Sequence, residues 1–254
     1  MRGILTDLDR VLRRPLLRLW HHGRAHECPV CQSSLRWFQP YGLIPRPNAR
    51  CPVCGSLERH RFVWLFFERG TNLLDGTRKT MIHFAPEREL QARLRRVPQL
   101  EYLTADLSDP NAMVLVDITA MPFRDESFDV VYCSHILEHV SDDRAAMREL
   151  RRVLSSSGWA VILVPITAPQ TYEDPTVTDP MERERLLGQS DHVRRYGPDF
   201  VERLREAGFS VTRVPTQEIV DEADAVRFGV SGEEVVVCGK GARLSTGEPA
   251  GARA

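Results

Sequence analysis

Short apolar runs alternate with longer amphipathic runs from residue 79 to residue 240. The apolar runs have the length and composition of β-strands, and they predict strands at 80–85, 102–105, 114–116, 128–133, 159–164, 209–214 and 234–238. Strands that alternate with helices are typical of a parallel sheet covered on both faces. The pattern therefore predicts an α/β domain over residues 79–240.

The clearest helix signal is the segment SDDRAAMRELRRVL, which begins at Ser141. Ser141 is the predicted N-cap, and Asp142 and Asp143 follow it where the positive end of the helix dipole favours carboxylates. The apolar positions of this segment share one face and predict a buried stripe of Met147, Leu150 and Leu154. A second helix, in SLERHRFVWLFFERG, begins near Ser56 and is predicted to connect two modules through residues 57–78.

The two ends of the chain differ from its middle. Residues 1–26 place apolar side chains at roughly helical spacing between arginines, which predicts an amphipathic helix docked on its own domain, with a membrane-surface helix as the alternative. Residues 241–254 offer little to bury and predict a flexible tail. No apolar run approaches the ~20 residues of a membrane span, and charges interrupt any signal-peptide core, so we expect a cytoplasmic protein.

Length and charge narrow the function classes. A chain of 254 residues has room for one large domain with an appendage, and 42% hydrophobic with 27% charged residues excludes collagen, coiled-coil and wholly disordered chains. With 34 basic and 35 acidic side chains the formal net charge is -1. The bulk charge of a dedicated nucleic-acid binder is therefore missing, so a nucleic-acid partner is not expected and any basic patch must be local. The oligomeric state stays open.

Four of the six cysteines form two CPVC units, Cys28 with Cys31 and Cys51 with Cys54, and nineteen residues separate the units. The two-residue gap lets both thiolates of a unit point at one ion, and two units complete a tetrahedral site whose usual occupant is Zn²⁺. We predict a structural zinc ribbon over residues 27–56, because four cysteine ligands leave no position for a catalytic water. A redox pair is the alternative.

Two carboxylates follow neighbouring predicted strands. Asp106 ends the second strand and Asp117 follows the third. In an open parallel sheet, ligands bind beyond the carboxyl ends of the strands. There Asp106 is placed to accept two hydrogen bonds from a ribose diol, and Asp117 to bind an adenine edge. Taken singly, each is also typical of a turn or cap aspartate.

The central block, DITAMPFRDESFDVVYCSHILEHVSDDRAAMRELRRVLSSSGWAVILVPI, resembles the class I S-adenosylmethionine-dependent methyltransferases, with a match over roughly residues 79–214. The resemblance implies a Rossmann-like α/β fold with a seven-stranded sheet and a reversed final strand. The zinc ribbon, the phrase HFAPE and the phrase DHVRRYG together resemble a bacterial subgroup of such proteins.

The resemblance also implies a site for S-adenosylmethionine over the ends of the first strands. It places Asp106 with Leu107 at the ribose, Asp117 with Ile118 near the adenine, and Ser134 facing the methionine portion.

The first strand departs from the family pattern, which ends this strand in an acidic residue and a glycine-rich turn. This chain has IHFAPEREL instead. The residues at the position of the family's cofactor-binding turn are Phe84, Ala85, Pro86 and Glu87. Without glycine we expect ordinary backbone dihedrals in this turn, with Pro86 at the first helical position. Glu87 either lies at the positive end of the helix dipole or holds the cofactor's amino group.

Methyl transfer from a sulfonium needs alignment, exclusion of water and, for some acceptors, a base. The stretch from Pro165 to Gly197 follows the fifth strand, where this fold places a cover over the substrate. In it, Asp191 and His192 provide a titratable imidazole as candidate base, and Tyr196, with Arg194 or Arg195, is a candidate for orienting the substrate. A capping histidine and solvated arginines are the alternatives.

A second cluster consists of His135, Glu138 and His139, which share one face if SHILEHV begins a helix. Such a face can hold a divalent ion or a substrate, and it resembles the corresponding turn of some ubiquinone-pathway O-methyltransferases that are associated with a divalent metal. The alternative is structural: His139 bonds the backbone and Glu138 pairs with an arginine. His135 is the preferred catalytic candidate, being nearest the methyl group.

These observations predict an enzyme that transfers a methyl group from S-adenosylmethionine to a small molecule such as a sugar or specialised metabolite. A methyltransferase that holds RNA through its zinc ribbon is the first alternative, although the overall charge disfavours it. A non-catalytic protein-interaction module on a degenerate methyltransferase fold is the second. Cofactor binding distinguishes the last hypothesis from the other two.

Overall fold

The computed structural model describes residues 13–42 and 45–241. Of the predicted amphipathic helix, residues 1–12 lie outside the described residues, as do residues 242–254 of the predicted tail. Residues 13–20 are helical and form α1. No helix in the described part of the chain is long and apolar enough to cross a lipid bilayer.

Two small hairpins follow α1. The first pairs β1 (His22–Cys28) with β2 (Ser33–Leu35), and the second pairs β3 (Gln39–Tyr41) with β4 (Arg46–Arg50), both antiparallel. Each hairpin leads into or out of a CPVC unit, so the four cysteines meet at one end of the module. This is the arrangement that the spacing of the cysteines predicts for a ribbon.

The described residues form one seven-stranded sheet in the order β7-β6-β5-β8-β9-β13-β12. Its strands are β5 (Lys79–Phe84), β6 (Leu100–Asp106), β7 (Val114–Leu115), β8 (Phe128–Ser134), β9 (Leu154–Leu163), β12 (Ser210–Pro215) and β13 (Glu234–Gly239). Six of the seven strands run in the same direction, whereas β13 is antiparallel to both of its neighbours. The sequence prediction of seven strands with a reversed final strand is confirmed.

The central strands are apolar because helices cover both faces of the sheet, as in most parallel sheets. The helices are α2 (Glu58–Arg69), α3 (Arg88–Leu94), α4 (Asp143–Val153), α5 (Pro180–Leu187), α6 (Phe200–Glu206) and α7 (Glu222–Phe228). Two short strands, β10 (Tyr172–Glu173) and β11 (Arg194–Arg195), pair with each other outside the sheet. Cys133 and Cys238 are fully buried within strands and act as packing residues.

The start of α4 differs from the prediction. Asp142, not Ser141, is the N-cap, and its carboxylate accepts a hydrogen bond of 2.8 Å from the backbone amide of Ala145. Leu154 belongs to β9 rather than to the helix, because the chain passes directly from α4 into that strand. The buried positions of α4 include Met147 and Leu150, as its apolar stripe predicts.

Helix α2 joins the ribbon to the sheet. Residues 60–67 of this helix are all buried, since the ribbon covers one side and the sheet the other. Its Arg61 is fully buried and donates to the carbonyl oxygens of Ala49 and Ser56 in the ribbon (2.9 and 3.0 Å) and of Phe228 and Gly229 after α7 (2.7 Å each). One guanidinium thus connects the ribbon, α2 and the last helix of the domain.

Candidate active site at the carboxyl ends of the strands

Asp106 lies at the carboxyl end of β6, where its side chain closes a turn. Its Oδ1 accepts backbone hydrogen bonds of 2.8 Å from Ser108 and Asp109. Both of these bonds go to Oδ1, so Oδ2 takes no part in closing the turn. The turn therefore fixes the carboxylate while leaving one oxygen able to accept hydrogen bonds from a ligand.

The next strand tip carries Asp117 and Ile118. Asp117 is exposed, and its Oδ1 accepts from the amide of Thr119 at 2.8 Å. That backbone bond and the Thr119 hydroxyl lower the pKa of Asp117. Ile118 is 7% exposed, whereas Leu107 on the neighbouring tip is 71% exposed. The two carboxylates and an apolar surface therefore occupy the same edge of the sheet, as the sequence predicts.

The turn after β5 differs from the sequence prediction. Ala85 has a φ of 43°, in the left-handed region that favours glycine, so the expectation of ordinary dihedrals is wrong. Its amide donates to the carbonyl of Ala105 at 2.8 Å, which fixes the turn against β6. Pro86 precedes the N-cap rather than occupying the first helical position, because α3 begins at Arg88. Phe84 is 3% exposed and packs in the core.

Glu87 turns inward from this N-cap position. Its Oε2 accepts from His83 Nε2 at 2.8 Å, and its Oε1 accepts from the Tyr132 hydroxyl at 3.1 Å. The Tyr102 hydroxyl contacts His83 Nδ1 at 2.7 Å, so a buried polar chain runs across β6, β5 and β8. Burial acts to raise the pKa of Glu87, but the hydrogen bond and charge of His83, with the charge of His60, outweigh it and hold the pKa at about 2.

Sequence reasoning missed His60 on α2 and His83 on β5. His60 is 5% exposed, and its Nε2 lies 3.9 Å from Glu87 Oε1. Burial lowers the pKa of His60 to about 4, although the charge on Glu87 opposes that shift. The signal for His83 was its place in IHFAPE, the segment where the sequence departs from the family that it resembles. No local sequence pattern indicates His60, because α2 precedes the sheet in the chain and His60 approaches Glu87 only in the folded structure.

Ser134 and His135 lie at the tip of β8, in the middle of the sheet. Ser134 is 6% exposed, and its Oγ has no hydrogen-bond partner among the described residues. His135 has a φ of 55°, which turns the chain sharply out of the strand. It lines a cavity of about 550 Å³ whose other walls include Pro165 after β9 and Phe200 on α6. Among the predicted catalytic residues, His135 therefore lines this cavity.

The ribbon and α2 contribute charge to this cavity. Arg46 of β4 and Arg59 of α2 line it together with Glu58 and Glu233. Burial raises the pKa of Glu233, as does the nearby charge of Glu58. The Nε of Arg59 is buried and has no partner in the described part of the chain. The cavity therefore offers both donors and acceptors to a polar ligand.

The segment after β9 covers the tip of β8, but several of its predicted substrate contacts are anchors. Tyr196 is fully buried, and its hydroxyl donates to Asp143 Oδ2 at 2.6 Å. Arg194 is 3% exposed and donates to the carbonyl of Leu137 at 2.7 Å. The expectation that these two side chains orient a substrate is therefore corrected, since both hold the segment onto the start of α4. Arg195 is less buried and contacts Thr167.

The segment also brings Asp191 and His192 to the second predicted cluster. Asp191 Oδ2 lies 3.3 Å from His139 Nδ1, and the rings of His139 and His192 meet edge to face at 4.7 Å. His135 Nδ1 lies 3.4 Å from Glu138 Oε1. Residues 137–139 form a single 3-10 turn, so the shared face predicted from a continuous helix is wrong. Glu138 lies next to His135, His139 and His192.

The four cysteines of the ribbon converge. Cys28 Sγ lies 3.7 Å from Cys54 Sγ, and Cys31 Sγ lies 3.8 Å from Cys51 Sγ. Four sulfurs bound tetrahedrally at about 2.3 Å from Zn²⁺ are separated by about 3.8 Å, so these distances fit one zinc ion. Ser33 and Ser56 lie within 3.3 Å of cysteine sulfurs and surround the cluster with hydroxyl groups.

Comparison with known proteins concerns mainly the first part of the sheet. Residues 79–162 match the family model described as a methyltransferase domain. A stretch of 75 residues is 39% identical to YcgJ, an uncharacterised methyltransferase of Bacillus subtilis, and covers 30% of this chain and 28% of that protein. Another, of 51 residues, is 37% identical to an uncharacterised protein of Methanocaldococcus jannaschii, over 20% of this chain and 22% of that protein. The chain thus matches under a third of the length of these curated relatives.

The solved structure of YcgJ from Bacillus subtilis aligns with a TM-score of 0.45 at 15% identity, over 70% of this chain and 96% of that chain.

Proposed function

Because residues 79–162 match the family model of a methyltransferase domain, we propose that the chain transfers a methyl group from S-adenosylmethionine to a small molecule. The cofactor site is proposed at the tips of β5, β6 and β8. The acceptor site is the cavity beside His135. One observation carries the proposal. At the edge of the sheet, the carboxylates lie on one side of the β8 tip and the cavity lies on the other.

Three groups fit the cofactor. Asp106 can accept from a ribose diol through Oδ2, because the turn that holds the carboxylate in place uses Oδ1. Ser134 Oγ is buried without a partner in the described residues, and such a group is stabilised when a ligand supplies one. Glu87 is ionised at neutral pH and its side chain is 16% exposed, so it can attract an ammonium group. Bound S-adenosylmethionine supplies an electrophilic methyl group.

The residues of the chain supply position and proton transfer. The cavity holds the acceptor next to the β8 tip and orients it towards the reacting atoms. His135 is the proposed base, since its imidazole faces the cavity and Glu138 Oε1 lies 3.4 Å from its Nδ1. A carboxylate in that position stabilises the imidazolium that forms when the acceptor loses its proton.

The ribbon has a structural part in this proposal. Zn²⁺ held by Cys28, Cys31, Cys51 and Cys54 fixes the module that supplies Arg46 to the cavity wall. We expect Cys51→Ser to lose this ion, as elemental analysis would show, and to destabilise the ribbon and the cavity together.

Calorimetric titration with S-adenosylhomocysteine tests the cofactor site. Wild type is expected to bind, Asp106→Ala to bind much more weakly, and Asp109→Ala to bind like wild type. Asp109 is the matched control because it is an exposed carboxylate three residues away in the same turn. A folded wild type that produces no heat of binding refutes the proposal and leaves the non-catalytic interaction module. Salt-dependent retention of RNA by a protein that does bind the cofactor would favour the RNA hypothesis instead.

A further inference from the structure

Three side chains meet beside the β8 tip, outside the ribbon and outside the proposed cofactor site. Glu138, His139 and His192 each offer a ligand atom, and these atoms lie within 4.8 Å of one another. Two of the residues belong to the turn after β8, and the third belongs to the segment after β9. Nothing in the proposed methyl transfer requires these three residues to be together.

Two of the three side chains are buried, and each carries an unpaired polar atom. Glu138 is 2% exposed and His192 is 6% exposed, and neither Glu138 Oε2 nor His192 Nε2 has a hydrogen-bond partner within the described ranges. A buried polar atom without a partner costs about 1–3 kcal/mol, and more when it is charged. Two such atoms, on side chains whose ligand atoms converge, point to a shared partner that binds lone pairs, which is a cation.

The other atoms of the same side chains are held in the way that metal ligands are held. His192 Nδ1 lies 3.1 Å from the carbonyl of Leu187; a ring that donates there leaves a lone pair on Nε2. Asp191 Oδ2 lies 3.3 Å from His139 Nδ1. Carbonyl and carboxylate partners of this kind orient metal-binding histidines in many proteins.

We propose that Glu138, His139 and His192 bind one divalent transition-metal ion. Two imidazoles and one carboxylate favour ions such as Zn²⁺ or Fe²⁺ over Mg²⁺ and Ca²⁺, which prefer oxygen ligands. Three protein ligands leave coordination positions open for water or for an oxygen of a ligand. His139 is 34% exposed, so this side of the site is accessible to solvent.

The ion would connect the covering segment to the sheet. The amide of Val193 already donates to the carbonyl of Glu138 at 2.9 Å, so the backbones on the two sides are in register. Binding through His192 adds a second connection at the same place. Because Glu138 Oε1 lies 3.4 Å from His135 Nδ1, the ion would also fix the carboxylate that faces His135.

Metal counting on the full chain tests the site. Protein is saturated with Zn²⁺, passed through metal-free buffer and analysed for zinc per chain. Wild type is expected to hold two ions, one in the ribbon and one in the proposed site. Glu138→Gln and His192→Asn are each expected to hold one, whereas His22→Asn, which changes an exposed histidine of β1, is expected to hold two. Variants that retain as much zinc as wild type would overturn the proposal.

A second measurement needs only the wild type, because a buried substitution can prevent folding. Protein whose ribbon holds Zn²⁺ is titrated with Co²⁺, and absorption is recorded. We expect about one Co²⁺ to bind per chain without thiolate-to-cobalt charge-transfer absorption, since the proposed ligands contain no sulfur. No binding of Co²⁺ by folded protein, or binding with a thiolate signature alone, would refute the second site.

Discussion

His83 Nε2 and Glu87 Oε2 lie 2.8 Å apart at the tip of β5. The Glu87 side chain therefore lies beneath the turn in a polar contact. The hydroxyl groups of Tyr102 on β6 and Tyr132 on β8 extend this contact to both neighbouring strands. Burial raises the pKa of each tyrosine, so both remain donors at neutral pH. The network fixes the turn by side-chain bonds.

Glu87→Gln is expected to destabilise the protein at neutral pH. The folded pKa of Glu87, about 2, lies below its ordinary value of 4.5, so its contribution to the free energy of unfolding is complete above pH 4.5 and is lost as the pH falls towards 2. A shift of that size corresponds to at most about 3 kcal/mol. Urea unfolding at pH 7 and at pH 3 should show a smaller difference between variant and wild type at the lower pH.

Glu68→Gln, an exposed carboxylate on α2, is the control and should change stability little at either pH. A difference between Glu87→Gln and wild type that stays constant from pH 7 to pH 3 would contradict this account of the network.

Arg61→Met is expected to destabilise the chain strongly. The guanidinium donates to backbone carbonyls of the ribbon and of the turn after α7, and each buried carbonyl left without a donor costs about 1–3 kcal/mol. Loss of several of these bonds should lower the free energy of unfolding by more than about 3 kcal/mol. Chelator should also remove zinc from the ribbon faster. Arg50→Met, which changes an exposed arginine of β4, is the control. Equal stability of the two variants would show that Arg61 does not hold the modules together.

Ala85→Gly is expected to stabilise the protein. A non-glycine residue in the left-handed region costs about 1–2 kcal/mol, whereas glycine costs about 0.4–1 kcal/mol through the entropy of the unfolded chain. Relief of strain at a φ of 43° should therefore exceed the entropic cost. Ala160→Gly, at a fully buried position of β9, should destabilise instead. Thermal unfolding of both variants measures the difference, and a loss of stability in both would argue against strain at Ala85.

The sheet could be predicted because its signal is local. Most of the strands carry apolar runs, and β8 in particular is buried at six of its seven positions, among them Phe128, Val130 and Val131. The cysteine cluster could be predicted equally well, since the spacing of the cysteines determines which thiolates meet. The positions of Asp106 and Asp117 followed from the strands, because parallel strands end at one edge.

The side chains around the β8 tip could not be predicted in the same way. Glu138 and His139 are neighbours of His135 in the chain, but the third member of their cluster is His192, which arrives from a segment more than fifty residues later. The left-handed conformation of Ala85 could not be predicted from the sequence either, because it depends on the contact of this turn with β6. Local propensity is overridden where distant segments pack together.

Tyr196→Phe separates anchoring from substrate binding. Burial and the charge of Asp143 raise the pKa of Tyr196 well above its ordinary value, so the phenol stays protonated and donates to that carboxylate. Removing a hydrogen bond to a charged group costs about 1.5–3 kcal/mol. We expect Tyr196→Phe to lower the free energy of unfolding by that amount and to leave the affinity for S-adenosylhomocysteine unchanged. Tyr172→Phe, an exposed tyrosine in the same segment, is the control. If Tyr196→Phe kept full stability but lost ligand affinity, the residue would belong to the binding site after all.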